Sequence, residues 1–238
     1  MTTQPPVITH PPGTAQLRYV NVGQATALKV GARAARSGID KRPVGGPIQV
    51  GTLGLAGDHV LNTRYHGGPD QAVYLYTGAD YDWWAAQGLA VRPGLFGENF
   101  TLGGPDSADF RVGDRLHLGT GPQGVILELT APRIPCATLA AHLGDPTFVR
   151  RFALACRPGL YARVLQTGTV QAGDPVTLTP AALDGAPSIG DLFHLDLHGT
   201  FRGQPVTPDD LRRMLKHPLA ARSRADLLKR LEKLERRE

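Results

Sequence analysis

Cysteine is scarce in this sequence, with only Cys136 and Cys156. Two thiols cannot staple a fold of this length, so a disulfide scaffold is excluded. No CxxC pair offers a zinc clasp. His194 and His198 are four residues apart, but the residue after His194 is Leu195, and the HExxH arrangement fails there. A GxxxxGK[ST] phosphate loop and a GxSxG nucleophile elbow are also absent. One glycine pattern does match a dinucleotide fingerprint: Gly119-Thr-Gly-Pro-Gln-Gly124. That fingerprint must open a helix, whereas Val125 to Leu129 is strand-like and Pro122 suits a turn, so a hairpin loop is expected. No apolar run reaches the ~20 residues that span a bilayer. Residues 1–13 are rich in proline and threonine and lack a basic n-region and an apolar h-region, so a disordered lead-in is expected rather than a secretory signal. With free thiols, this points to a cytoplasmic protein without a membrane partner.

Charge of one sign is missing from the main body. Residues 211–238 carry a net of +6 and the remainder a net of −1, so the basic balance lies in the tail. A nucleic-acid partner is not implied for the body. In the tail, acids and leucines alternate with the bases, which suits a solvated helix face.

Glycine (29) and proline (20) are abundant. Between them lie short apolar runs, the pattern of many short strands and tight turns. Leu17 to Val22, Pro47 to Leu53, Gln71 to Tyr76, Asp114 to Leu118, Gly124 to Thr130, Leu160 to Gln166 and Asp174 to Leu178 read as strands. Ala79 to Gln87 reads as a helix with Tyr81 and Trp84 on one face, and two helical stretches follow Cys136, the second starting at Asp145-Pro146. Gly113-Asp114 and Gly173-Asp174 are expected to be tight turns. Composition changes after Pro180. A short linker then precedes a first helix over Ser188 to Asp196 and a strongly capped one from Thr207-Pro-Asp-Asp210. Leu211, Met214 and Leu215, then Leu227, Leu228, Leu231 and Leu234, form apolar stripes. The expected architecture is mainly β, a barrel-like domain over 14–180 with peripheral helices, then a three-helix extension over 188–238.

Several residues could carry chemistry. Cys136 follows a strand end, stiffened by Pro132 and Pro135, with Arg133 three residues before it. A neighbouring cation favours the thiolate, the form that ligates soft metals or attacks. The alternative is a plain buried thiol. In His66-Gly-Gly-Pro-Asp70, Gly67 and Gly68 permit positive φ and close approach to a ligand, though a tight turn into a strand needs the same residues. Glu98 and Asn99 place an acceptor beside a bifunctional amide. Lys41, Arg42, Arg33 and Arg36 could bind a phosphate or merely be solvated, and Asp58 is a turn acid.

Taken in order, Ile39-Asp-Lys-Arg-Pro43, Gly54-Leu-Ala-Gly-Asp58, His66-Gly-Gly-Pro-Asp70, Phe96-Gly-Glu-Asn99, Val112-Gly-Asp114, Pro132-Arg-Ile-Pro-Cys136 and Tyr161-Ala-Arg-Val164 resemble the molybdenum-cofactor sulfurase C-terminal (MOSC) family over residues 17–180. The tail resembles the three-helix extension of one bacterial subgroup. The resemblance implies a β-barrel-like core and a molybdenum cofactor (molybdopterin) whose metal is bound by Cys136. It also implies reduction of N-hydroxylated compounds such as hydroxylaminopurines. Lys41, Arg42, Asp58, His66, Gly67, Gly68, Glu98, Asn99 and Arg133 fall in motif positions near the cofactor; Lys41 and Arg133 would hold its phosphate, and His66 with Glu98-Asn99 would line pterin or substrate. No flavin or nicotinamide motif appears, so an electron-donor protein or a small thiol reductant is the expected partner. A homodimer is left open. The alternative within the resemblance is a non-catalytic carrier of the cofactor or of sulfur.

Overall fold

Alternation along one short segment, Val73 to Thr77, organises the molecule. All five residues are buried. Val73 and Leu75 face one apolar cluster, while Tyr74 and Tyr76 face another. A strand buried on both faces must be covered on each side, here by the barrel interior on one side and by helices on the other.

A computed structural model describes residues 15–61 and 66–236. The expected lead-in, residues 1–13, lies outside them. The first strands are β1 (Ala15–Gly23), the hairpin β2 (Thr26–Val30) and β3 (Arg33–Ser37), then β4 (Lys41–Pro43), β5 (Ile48–Gly51) and β6 (Gly54–Leu55). After β7 (Val73–Thr77), α1 (Gly78–Ala86) and a loop lead to β8 (Phe100–Leu102). The hairpin β9 (Arg115–Leu118) and β10 (Val125–Pro132) runs into α2 (Ala137–His142) and α3 (Phe148–Ala155). Three more strands, β11 (Leu160–Gln166), β12 (Gly168–Val170) and β13 (Pro175–Thr179), end the β-rich part. The tail holds α4 (Ile189–His198), a small hairpin of β14 (Thr200–Phe201) and β15 (Gln204–Pro205), α5 (Pro208–Met214) and α6 (Ala221–Glu235).

The main sheet follows the order β13, β9, β10, β11, β7, β8, β1 and closes into a seven-stranded barrel where Ala15 of β1 pairs with Val176 of β13. Among the described strands only β7 and β8 pair in parallel, with Leu75 opposite Phe100. A parallel pair needs a crossover, and α1 with its following loop supplies it. The barrel interior is aliphatic, with Leu17, Val20, Leu127 and Leu160 fully buried. Outside it, Tyr76, Trp84, Phe96, Phe148 and Phe152 pack ring on ring beneath α1 and α3.

The tail helices complete this core. Ile189, Leu192, Leu195, Leu211, Met214 and Leu227 belong to the barrel's aliphatic cluster, and Phe193 to the aromatic one. Capping boxes start α4 (Ser188 with Asp191) and α5 (Thr207 with Asp210). None of the described helices is long and apolar enough to cross a membrane.

Three local expectations shift. The strand expected from Gln71 begins at Val73, because Gly68-Pro69 starts a single 3-10 turn over Pro69–Gln71. The helix expected from Asp145 begins at Phe148, because the Asp145 carboxylate accepts from both the N–H and hydroxyl of Thr147 and forms a turn. Leu228, expected on the apolar stripe of the last helix, is 46% exposed. The 119–124 segment is a hairpin loop with a short 3-10 turn, as expected. Both Gly-Asp turns form too: Gly113 and Gly173 have positive φ, and the carboxylates of Asp114 and Asp174 accept from the N–H groups of Arg111 and Gln171.

Candidate active site

β10 ends at Pro132, and the chain leaves the barrel through Arg133 to Cys136 before α2 begins. Cys136 is half-buried at the N-cap of α2. Burial alone would push its thiol up. A hydrogen bond with His66, the charge of Arg133 and the N–H of Leu139 more than offset that and bring it down to about 6. Arg133 is itself buried, its guanidinium carbon 5.0 Å from the centre of the Tyr74 ring, and it donates to the carbonyl of Phe96. His66 Nδ1 lies 2.9 Å from the hydroxyl of Tyr161. Burial raises that phenol to about 12, so it stays protonated at neutral pH.

These groups face one chamber of about 340 Å3. Lys41, His66, Gly67, Asn99, Arg133 and Cys136 all line it. No Asp or Glu among the described residues does. Gly67 has a φ of 77°, a left-handed conformation that an L side chain rarely adopts.

Other expected site residues stand elsewhere or are already occupied. On β4, alternation turns Lys41 inward and Arg42 outward, where Arg42 pairs with Asp40 at 3.1 Å on the surface. The Lys41 ammonium is bound by both oxygens of Asp58, which also accepts from the N–H of Gly23 and from Asn99 Nδ2. Burial lowers the Lys41 pKa, against the pull of Asp58. Asp58 therefore serves as the counter-ion of Lys41 and does not line the chamber, and Lys41 is not a free phosphate clamp. Asn99 reaches the wall, but its amide is committed to Tyr74 N, Asn21 O and Asp58. Glu98 lies behind the wall, fully buried, with one oxygen taking the Tyr81 hydroxyl and Gly94 N–H at 2.6 Å each and the Thr101 hydroxyl at 2.8 Å. Burial raises its pKa, against those three bonds. Gly68 caps the 3-10 turn outside the chamber. Arg36 of β3 does line it.

Sequence reasoning gave no role to Tyr74 or Tyr161, which face each other across β7 and β11 at 5.1 Å between ring centres. The signal was tyrosine, where phenylalanine would serve a plain core position.

A model of the MOSC domain matches residues 62–177. The chain is also 30% identical over 157 residues to "Uncharacterized protein YflK" of Bacillus subtilis (strain 168), covering 65% of this chain and 68% of that protein. The chain belongs to the MOSC domain family. The MOSC fold agrees in three dimensions: the crystal structure of YiiM from Geobacillus stearothermophilus superposes with a TM-score of 0.72 at 29% identity, over 91% of this chain and 99% of that one. A protein named "Reductase" from Gibberella moniliformis (strain M3125 / FGSC 7600) is 30% identical over 161 residues, but this chain spans only 28% of its length. Cys136 and Arg133 lie inside the matched MOSC segment, and α4 to α6 follow it.

The two thiols of this MOSC protein should differ sharply in reactivity. Cys156 sits in a left-handed cap, and burial raises it to about 11. Cys136 is thiolate above about pH 6 and loses that form as pH falls through it. Iodoacetamide at roughly pH 7.5 should therefore label Cys136 first, with a rate inflection near 6, read by peptide mass spectrometry. Equal labelling of both would contradict the electrostatics described.

Proposed function

We propose that this MOSC protein binds a molybdenum cofactor through Cys136 and reduces N-hydroxylated compounds such as hydroxylaminopurines. The observation that carries this is a single thiol facing a chamber whose described lining has buried Arg133 and no carboxylate.

The donor set fits an anionic cofactor. Arg133 Nε is buried without a partner, and no carboxylate among the described residues pairs with Arg133. Such an orphan donor suits a phosphate or another anion. Among the described residues no group of three His, Cys, Asp or Glu side chains could hold a metal ion, so the protein contributes one soft thiolate and a metal would bring its remaining ligands with it. When bound, the cofactor supplies the two-electron centre at which an N–O bond is reduced.

The chain's own residues then have distinct work. Arg133 stabilises the thiolate of Cys136 and offers charge to the anion. His66, bonded both to Cys136 and to Tyr161, can hold and pass a proton at the chamber wall. Tyr161 fixes the imidazole ring. Electrons come from an electron-donor protein or a small thiol reductant.

The test is molybdenum content and turnover of protein made in a cofactor-competent host. Stoichiometric molybdenum and reduction of a hydroxylaminopurine by an artificial electron donor are expected. Molybdenum without turnover would leave a carrier of cofactor or sulfur, and a protein with no molybdenum and no turnover would overturn the reading.

A further inference from the structure

Cys136 looks into two chambers. A second one, of about 530 Å3, lies between the barrel rim and the tail helices and shares His66, Gln71, Cys136, Thr138 and Tyr161 with the first. Its far wall is different in kind. Asp196 of α4 and Asp226 of α6 face it, together with Arg222, Lys229 and Arg230. The first chamber's described lining has cations and no carboxylate; this one has both signs. A polyanion is favoured by the first and repelled in part by the second. A neutral ring bearing N–H groups fits the second, where carboxylates accept and guanidinium or ammonium groups donate.

The wall is firmly placed. The carboxylate of Asp70, four residues after His66, accepts from the first N–H of α6 at Ala221 (2.7 Å) and pairs with Arg163 at 3.0 Å. Arg163 also donates to the carbonyls of Pro218 and Leu219. The loop that brings His66 to the sulfur thus also docks the helix that closes the second chamber.

We infer that this second chamber is the substrate site, with Asp196 and α6 holding a neutral N-hydroxylated heterocycle whose N–O group faces Cys136. This rests on the reading of the first chamber as the cofactor site. The hydroxylamino N–H and the adjacent ring nitrogen of such a base form a donor–acceptor edge. Asp196 forms no ion pair among the described residues, and burial lifts it to about 6. It can therefore meet that edge as a carboxylic acid, giving and taking one hydrogen bond, or as a carboxylate taking the N–H alone.

The experiment uses the full chain and N-hydroxyadenine, a hydroxylaminopurine. With cofactor-free protein, the base should slow iodoacetamide labelling of Cys136 severalfold, and Asp196→Asn should weaken that protection about tenfold in concentration. Asp226→Asn, on the α6 wall of the same chamber, gives a second reading should the first variant misfold, and should weaken the protection in the same direction. With loaded protein, Asp196→Asn should raise KM about tenfold at unchanged molybdenum content. Protection and KM that both ignore the two substitutions would overturn the inference while leaving a molybdenum reductase intact. Protection that depends on Asp196 in a protein that never acquires molybdenum would uphold this binding site and sink the cofactor reading instead.

Discussion

On the proposed function, Cys136→Ser should lose molybdenum and turnover together. Removing a group that only orients a metal ligand costs roughly 10–100-fold in affinity or activity. Removing the ligand itself sets that range as a floor, so molybdenum content at least about tenfold lower and turnover at least about 100-fold lower are expected. A serine hydroxyl at neutral pH offers neither the charge nor the softness of a thiolate. The fold should survive, because Cys136 is half-buried on the chamber wall and serine is smaller by little. Cys156→Ser is the matching control: that thiol is held protonated by burial and does not line either chamber, so it should keep both molybdenum and turnover. Metal analysis and a donor-coupled assay on the two variants check this. Full molybdenum in Cys136→Ser would remove the sulfur from the account.

Phe96→Ala should be among the most damaging single changes to stability near the site. Phe96 is fully buried and meets Tyr76 at 4.4 Å, Tyr81 at 5.5 Å and Trp84 at 5.7 Å between ring centres. It also contacts Phe148 and Phe152 of the α3 side. Truncating a ring in such a cluster costs about 3–5 kcal/mol. At ~2–4 °C per kcal/mol for a chain of this size, Tm should fall by roughly 6–20 °C. The same residue's carbonyl receives the Arg133 guanidinium. Loosening it should therefore also free Arg133 and raise the labelling inflection of Cys136. Calorimetry and the alkylation profile test the two parts, and a Tm within a degree or two of the parent would contradict the packing described.

How much of this was legible in the sequence follows from how local each feature is. Pro132-Arg-Ile-Pro-Cys136 carries its own geometry, and the structure places both Arg133 and Cys136 on one chamber. The paired glycines after His66 needed positive φ, and have it. Neighbours in an extended chain point opposite ways, which composition cannot reveal. Lys41 turns in while Arg42 turns out, and Asn99 reaches the wall that hides Glu98. Partners distant in the chain were invisible. Asp58 approaches Lys41 across 17 residues, Tyr161 approaches His66 across 95, and Asp70 meets Ala221 across 151. Barrel closure between β1 and β13 is of that kind too. The capped start at Thr207 was readable because every bond in it spans three residues, whereas the equally local box of Ser188 with Asp191 went unread.

The shared core of barrel and tail has a consequence for anyone wishing to shorten this protein. Leu192, Leu195, Leu211 and Met214 belong to one apolar cluster with the residues of the strands, and α4 packs directly against β10. A protease that nicked the segment at 181–187 would leave two pieces still clasped, as the halves of a cut nut hold around one kernel. Removing everything beyond the nick would bare oily strand faces to water, and the remnant would clump before it could be assayed.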